Sequence, residues 1–221
     1  MKIIDAVKSQ KGRPFEIPDV GRRQLPDFFK QMGYKVGVEI GVQRGSFSRR
    51  LLRVGLEVYA VDPWESYEDY QPDTSRTRYQ NHQDRVFEAA KENLKPWIDS
   101  GKCHMVRKKS MDAVGDFEDG SLDFVYIDGH HGFKFVTEDI WAWSRKVKEG
   151  GVISGHDYAY GRWKELGPYV LQVKEVIDGW TKANRIDPWY VLGAKHKSFE
   201  GEKRDQYRSW MWIKGSEGRA K

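Results

Sequence analysis

Apolar residues recur along this chain with two alternating periods. Val36, Val38 and Ile40 alternate with their neighbours and predict a buried strand over 35–40. A turn from Gly41 to Gly45 follows. Phe47, Leu51 and Val54 then fall at helical spacing until Gly55 stops the helix. Residues 56–61 read as the next strand, which ends at Asp62. Further on, Tyr79, Val86, Phe87, Ala90 and Leu94 predict a helix, 102–107 a third strand and 122–127 a fourth. Phe133, Val136, Ile140, Trp143 and Val147 mark a strongly periodic helix closed by Gly150-Gly151, and 152–154 is a fifth strand. Val170, Val173, Ile177 and Trp180 mark another helix. Residues 189–193 and 209–213 read as the strands of a closing hairpin.

Two stretches fall outside this alternation. Residues 1–20, with Pro14 and Pro18 as breakers, predict irregular backbone. A short helix then carries Leu25, Phe28, Phe29 and Met32 on one face, and Gly33 ends it. Preceding the first strand, it is expected to lie across the sheet and cover a ligand. Residues 65–78 are acidic and aromatic and predict a loop or lid. The expected organisation is an N-terminal extension with cap helix over 1–34, one α/β domain over 35–214 and a basic tail over 215–221. Strands alternating with helices imply a mostly parallel sheet with crossovers on both faces, and the last two strands should pair antiparallel.

Composition narrows the class. Of the 221 residues 38% are hydrophobic and 32% charged, but an aromatic share of 14% supplies large buried surfaces, so a folded core is expected. The single cysteine, Cys103, excludes an intrachain disulfide and fits a cytoplasmic location; its apolar neighbours predict a buried strand residue. No run approaches a membrane span, and the first residues do not read as a signal peptide. The net charge of +5 permits nucleic acid or a phosphorylated partner, with part of the excess over 195–221; a solvated basic face is the plainer reading. A homodimer is the assembly the sequence leaves open.

The candidate chemistry sits at strand ends. Gly41 and Gly45 let backbone pass close to a ligand, and the helix after them offers free N–H groups. Asp62 ends the next strand, where a carboxylate can accept both ribose hydroxyls of an adenosine. A dinucleotide site normally adds a third glycine near the pyrophosphate, a position crowded here by Phe47. Glu39, just before the turn, repels phosphate but can pair with an ammonium. These charges favour S-adenosylmethionine (SAM) over NAD. Asp128 ends the fourth strand and His156-Asp157 the fifth, at the same carboxyl edge. Two carboxylates and an imidazole there can hold a divalent cation such as Mg or Mn.

The stretches VEIGVQRGSFSRRLL, YAVDPW and SLDFVYIDGHHGFKFVTEDIWAWSRKVKEGGVISGHDY, in that order, resemble the class I SAM-dependent methyltransferases. The resemblance covers roughly residues 36–160. It is to the branch with IDG-x-H and GG-x-x-x-GHD strand ends, related to metal-dependent O-methyltransferases of small hydroxylated molecules. It implies a Rossmann-like, doubly wound, seven-stranded sheet in the order 3-2-1-4-5-7-6 with the last strand antiparallel. It places Glu39, Gly41 and Gly45 along the methionine part of SAM, Asp62 on the ribose, Trp64 or Pro63 beside the adenosine, and Ser110 and Met111 at the adenine. Asp128 lies near the sulfonium and, with His156 and Asp157, forms the implied metal set; His156 departs from the acidic residue usual in relatives.

Methyl transfer then needs alignment of acceptor, methyl and sulfur, and removal of a proton. An imidazole suits that base near neutral pH, with His130 the first candidate and His131 the second. His82, His104 and His196 lack partners at ligand spacing and read as structural or surface groups, and Trp143 as core. The loop from Tyr158 to Trp163 is placed to shape an acceptor pocket. The competing readings are a nucleic-acid methyltransferase, a nicotinamide oxidoreductase and a SAM-fold protein without transferase activity. Base-amine methylation usually brings an Asn/Asp-Pro-Pro-aromatic motif where this chain reads Asp128-Gly129-His130-His131, so a small-molecule acceptor is favoured over nucleic acid.

Overall fold

The computed structural model describes residues 2–9, 12–66, 79–159, 161–162, 170–194 and 207–215. Most of the 65–78 stretch, most of the loop after Ala159, His196 and the end of the basic tail lie outside the described residues. In chain order the elements are α1 (Ile3–Ser9), β1 (Phe15–Ile17), a single turn of tight helix (Arg22–Gln24), α2 (Leu25–Gln31), β2 (Val36–Ile40), α3 (Ser48–Arg53), β3 (Glu57–Val61), α4 (Gln80–Asp99), β4 (Cys103–Val106) and α5 (Ser110–Ala113). Then follow β5 (Leu122–Ile127), α6 (Phe133–Lys146), β6 (Val147–Tyr158), β7 (Gly161–Arg162), β8 (Val170–Leu171), α7 (Val173–Ala183), β9 (Trp189–Leu192) and β10 (Arg208–Ile213).

One sheet of eight strands runs in the order β1-β9-β10-β6-β5-β2-β3-β4. Numbering its core strands from β2 gives the expected order 3-2-1-4-5-7-6, with β10 antiparallel to both β6 and β9. The addition is β1, which the sequence pattern had assigned to irregular backbone. It extends the far edge by pairing parallel with β9, Phe15 opposite Tyr190 and Ile17 opposite Leu192. Arg208 fastens it with a 2.7 Å ion pair to Glu16. The first ten residues also depart from expectation, since Ile3 and Ala6 of α1 are buried in the core.

The strands read as near-continuous apolar runs because both faces are covered. Helices α1 to α4 pack one face, where Phe28, Phe29, Leu51, Ala90 and Leu94 meet Phe124, Tyr126, Tyr190 and Met211. Helices α5 to α7 cover the other, where Val136, Ile140, Trp143 and Ile177 meet Val125, Ile153, Trp189, Trp210 and Trp212. The aromatic excess of the sequence therefore goes into the core. Cys103 is buried, and burial pushes its thiol up to about 12, so it packs as an inert small side chain. No described helix is long and apolar enough to cross a membrane.

The hairpin also buttresses the functional edge. Trp210 donates its indole N–H to the carbonyl of His156 at 3.0 Å, and its ring lies over Gly155. A Cβ on Gly155 would fall 2.4 Å from both that ring and the Ile127 carbonyl oxygen. Gly155→Ala is therefore expected to destabilise the fold by about 1–3 kcal/mol through overpacking. Urea unfolding of the two proteins measures this, and an unchanged midpoint would show that the contact is soft.

Candidate active site

The ends of β2, β3 and β5 converge. Gly41 donates its N–H to the Val61 carbonyl at 3.0 Å, and Asp128 donates its own to the Ile40 carbonyl at 2.8 Å. Gly41 adopts φ +84°, and a Cβ there would lie 2.1 Å from the Asp128 carbonyl oxygen. Only glycine fits, because the chain must turn left-handed while touching the next strand end. Gly45, at φ +75°, turns the chain into α3 against Leu94.

Asp62 holds the outer side of this turn. Its carboxylate accepts the N–H of Gln43 at 2.9 Å and of Trp64 at 2.8 Å. Trp64 in turn donates its indole N–H to the Gln43 carbonyl at 2.8 Å. Gln43 and Trp64 both have positive φ, a strained backbone that this cross-bracing holds in place. Trp64 is fully buried, with its ring packed against that of Phe87 beneath the turn. Burial raises the Asp62 pKa, and the amides of Gln43, Trp64 and Val42 work against that rise.

Glu39 lies under the turn, 2% exposed, and accepts a hydrogen bond from the Ser48 hydroxyl of α3. Burial pushes its carboxyl up to about 8; Asp128 and Asp62 add to the rise, while Ser48 and Arg22 oppose it. Phe47 fills the position where a dinucleotide site keeps a third glycine, buried with its ring 4.1 Å from that of Tyr126.

Across the strand ends, His131 Nε2 lies 2.8 Å from Asp157 Oδ2 and 3.9 Å from Asp128 Oδ1. The structure brings Asp128, His131 and Asp157 together as three ligand atoms within 4.8 Å of one another. The sequence pattern had named His156 as the imidazole of that set. His156 borders it, with Nδ1 3.2 Å from Asp157 Oδ1 and 3.9 Å from Asp128 Oδ1. Burial works against a charged His131, but hydrogen bonding to Asp128 and Asp157 and their charges prevail and raise it to about 10. Burial likewise opposes an ionised Asp157, yet His131 and His156 hold its carboxyl well below the usual range.

His130 is engaged within its own loop. Its Nδ1 accepts the Gly132 N–H at 2.9 Å and its ring packs 4.0 Å from that of Phe135. Ser110 follows β4 as expected, but its hydroxyl is engaged: it donates to Asp139 and accepts the Trp143 indole N–H at 2.7 Å. Met111 beside it is exposed. His104 stacks on Tyr59 and pairs with Glu57, a structural role.

The sequence pattern missed two residues. Arg22 reaches from the extension to Asp128 Oδ2 at 3.1 Å. Its signal was the Arg22-Arg23 pair placed just ahead of the cap helix. Asp139 is buried on α6, and burial pushes its carboxyl to about 7, against the hydrogen bond from Ser110. Its signal was an acid next to Ile140 on the face that periodicity assigns to the core.

A family model described as a methyltransferase domain matches residues 38–158. A Staphylococcus aureus protein named for caffeoyl-CoA O-methyltransferase activity superposes with a TM-score of 0.60 at 14% identity, covering 88% of this chain and 82% of that one. The O-methyltransferase TomG of Streptomyces achromogenes, solved with SAM, gives 0.58 at 12% identity over 88% and 79%. An rRNA methylase of Streptococcus thermophilus gives 0.56 at 10% identity over 86% and 93%. Among curated proteins, the uncharacterized protein y4gI of Sinorhizobium fredii is 31% identical over 65 residues, which are 27% of this chain and span only 7% of that protein. The match over 38–158, more than half of the chain, establishes that the chain belongs to the methyltransferase-domain family.

Proposed function

We propose that this chain transfers the methyl group of SAM to an oxygen of a small hydroxylated molecule. The observation that carries the cofactor reading is Glu39, a buried carboxylate below a left-handed glycine turn. An anion there suits the ammonium of the methionine moiety and opposes a pyrophosphate. Gly41 and Gly45 leave the backbone bare for that moiety, and Asp62 offers a carboxylate to the ribose hydroxyls. Ser110, Asp139 and Met111 then border the adenine. Bound SAM supplies a methyl group on a sulfonium, open to in-line displacement.

Asp128, His131 and Asp157 face the acceptor side of this cradle. Their oxygen, nitrogen and oxygen donors fit a divalent cation. Such an ion, when bound, lowers the pKa of an acceptor hydroxyl. Without such an ion, His131, charged between two carboxylates, offers positive charge to an oxygen that is losing its proton. We assign the handling of that proton to this group. His130, with Nδ1 accepting an amide and Nε2 buried, packs the loop. The O-methyltransferase neighbours favour oxygen as the reacting atom. The rRNA methylase neighbour keeps RNA as the second reading of the acceptor, which the basic charge also supports.

The Glu39 assignment has a pH signature. Without ligand its carboxyl keeps a proton up to about pH 8. An ammonium beside it favours the ionised form, so binding expels that proton and tightens as pH rises. The groups facing Glu39 are Ser48, Arg22, Asp62, Asp128 and Cys103. Between pH 6 and 7.5, below the pKa of an α-amine, SAM affinity is expected to rise by at most about ten-fold per unit. Calorimetry on wild type and Glu39→Gln checks this, and a slope that survives the substitution would remove Glu39 from the ammonium site.

For the acceptor side, His131→Ala should lower kcat by about 100-fold or more while the SAM Kd stays within about three-fold. S-adenosylhomocysteine release from a panel of hydroxylated acceptors provides the readout, with His130→Ala expected to fall far less. Equal losses in both variants would return the role to His130. Asp157→Ala should weaken Mn(II) binding at least about ten-fold. Undiminished Mn(II) binding would mean that these three residues are not a metal site.

A further inference from the structure

One charged surface has no role in the chemistry above. Arg22 and Arg23 lie on the helical turn ahead of α2, and Arg49, Arg50 and Arg53 on α3. Arg23, Arg50 and Arg53 are exposed and Arg49 is half-buried. Among the described residues, Arg23, Arg49, Arg50 and Arg53 have no carboxylate partner, and Arg22 has Asp128. The cations instead meet each other. The Arg50 pKa is lowered first by burial and then by the charges of Arg23, Arg22, Arg53 and Arg49. Like charges one helical turn apart destabilise a helix. Here the fold keeps several of them unneutralised beside its binding edge.

The chemistry of the patch defines what would neutralise it. Every member is arginine, whose planar fork matches phosphate oxygens two at a time, where lysine offers a point charge. The patch is compact, since α3 spans only about 9 Å along its axis. Its inner edge, Arg22, touches Asp128, so a group seated on the arginines has its remainder directed toward the strand ends.

We propose that this arginine face holds the phosphate groups of the methyl acceptor. The acceptor is then a small hydroxylated molecule bearing a di- or triphosphate-like group. The proposal rests on the methyl-transfer reading for the word acceptor, whereas the phosphate site stands on the arginines alone.

Inorganic tripolyphosphate serves as the probe, titrated into the full chain by calorimetry at low salt. Wild type should bind it. The double variant Arg50→Gln, Arg53→Gln should bind at least about ten-fold more weakly, with the SAM Kd unchanged. Relief of repulsion should also leave the variant's Tm equal to wild type or about 1–3 °C above it without phosphate. Tripolyphosphate should raise the Tm of wild type only. No binding to wild type, or equal binding to both proteins, would overturn the proposal. Binding of a single-stranded oligonucleotide that tripolyphosphate does not displace would overturn it in favour of a nucleic-acid face. The SAM titration is read separately: its failure would sink the methyltransferase reading and leave the phosphate result standing.

Discussion

The contact between Gly41 and the backbone of Asp128 sets the geometry of everything at the working edge. A side chain at Gly41 would collide with the Asp128 carbonyl, so β2 and β5 end in direct touch. That closeness puts the turn from Gly41 to Gly45 and the cluster of Asp128, His131 and Asp157 on one seam. Glu39, Gly45 and Asp62 lie on one side of it, and Asp128, His131 and Asp157 on the other. Methyl transfer depends on aligning three atoms, and a seam built from hydrogen-bonded strand ends does so without side-chain freedom.

Buried charge is concentrated at this seam. Glu39 sits in the interior as a carboxyl with a raised pKa, and His131 and Asp157 sit as a pair whose mutual attraction overcomes burial. A fold selected for stability alone would replace such groups with apolar ones. The arginine face adjoining the seam is a third departure of the same kind. All three lie around one edge, while the opposite ends of the strands carry satisfied pairs such as Lys148 with Asp123.

The core strands were legible in the sequence because both faces of the sheet are covered and the apolar runs are bounded by glycine and proline. Strand β1 was not. Three residues, Phe-Glu-Ile, carry no period, and they pair with residues 190–192, far along the chain. The glycine turn and Asp62 were legible from spacing. The sequence named His156 as the imidazole beside Asp128 and Asp157, and the tightest grouping of ligand atoms takes His131 there. His156 lies beside Asp157 in space as in sequence, with Nδ1 3.2 Å from Oδ1. Positive φ at Asp157 turns its carboxylate toward the next loop, where His131 waits. The burial of Trp64 beneath the turn was not legible, since it goes with a bond to Gln43 that spacing does not reveal.

The central claim is that the Glu39 to Gly45 turn and Asp62 bind SAM. Calorimetric titration of the purified protein with SAM and, separately, with NAD tests it most directly. The account predicts one SAM bound per chain, with and without EDTA, and no heat from NAD. Saturable NAD binding with none for SAM would contradict it.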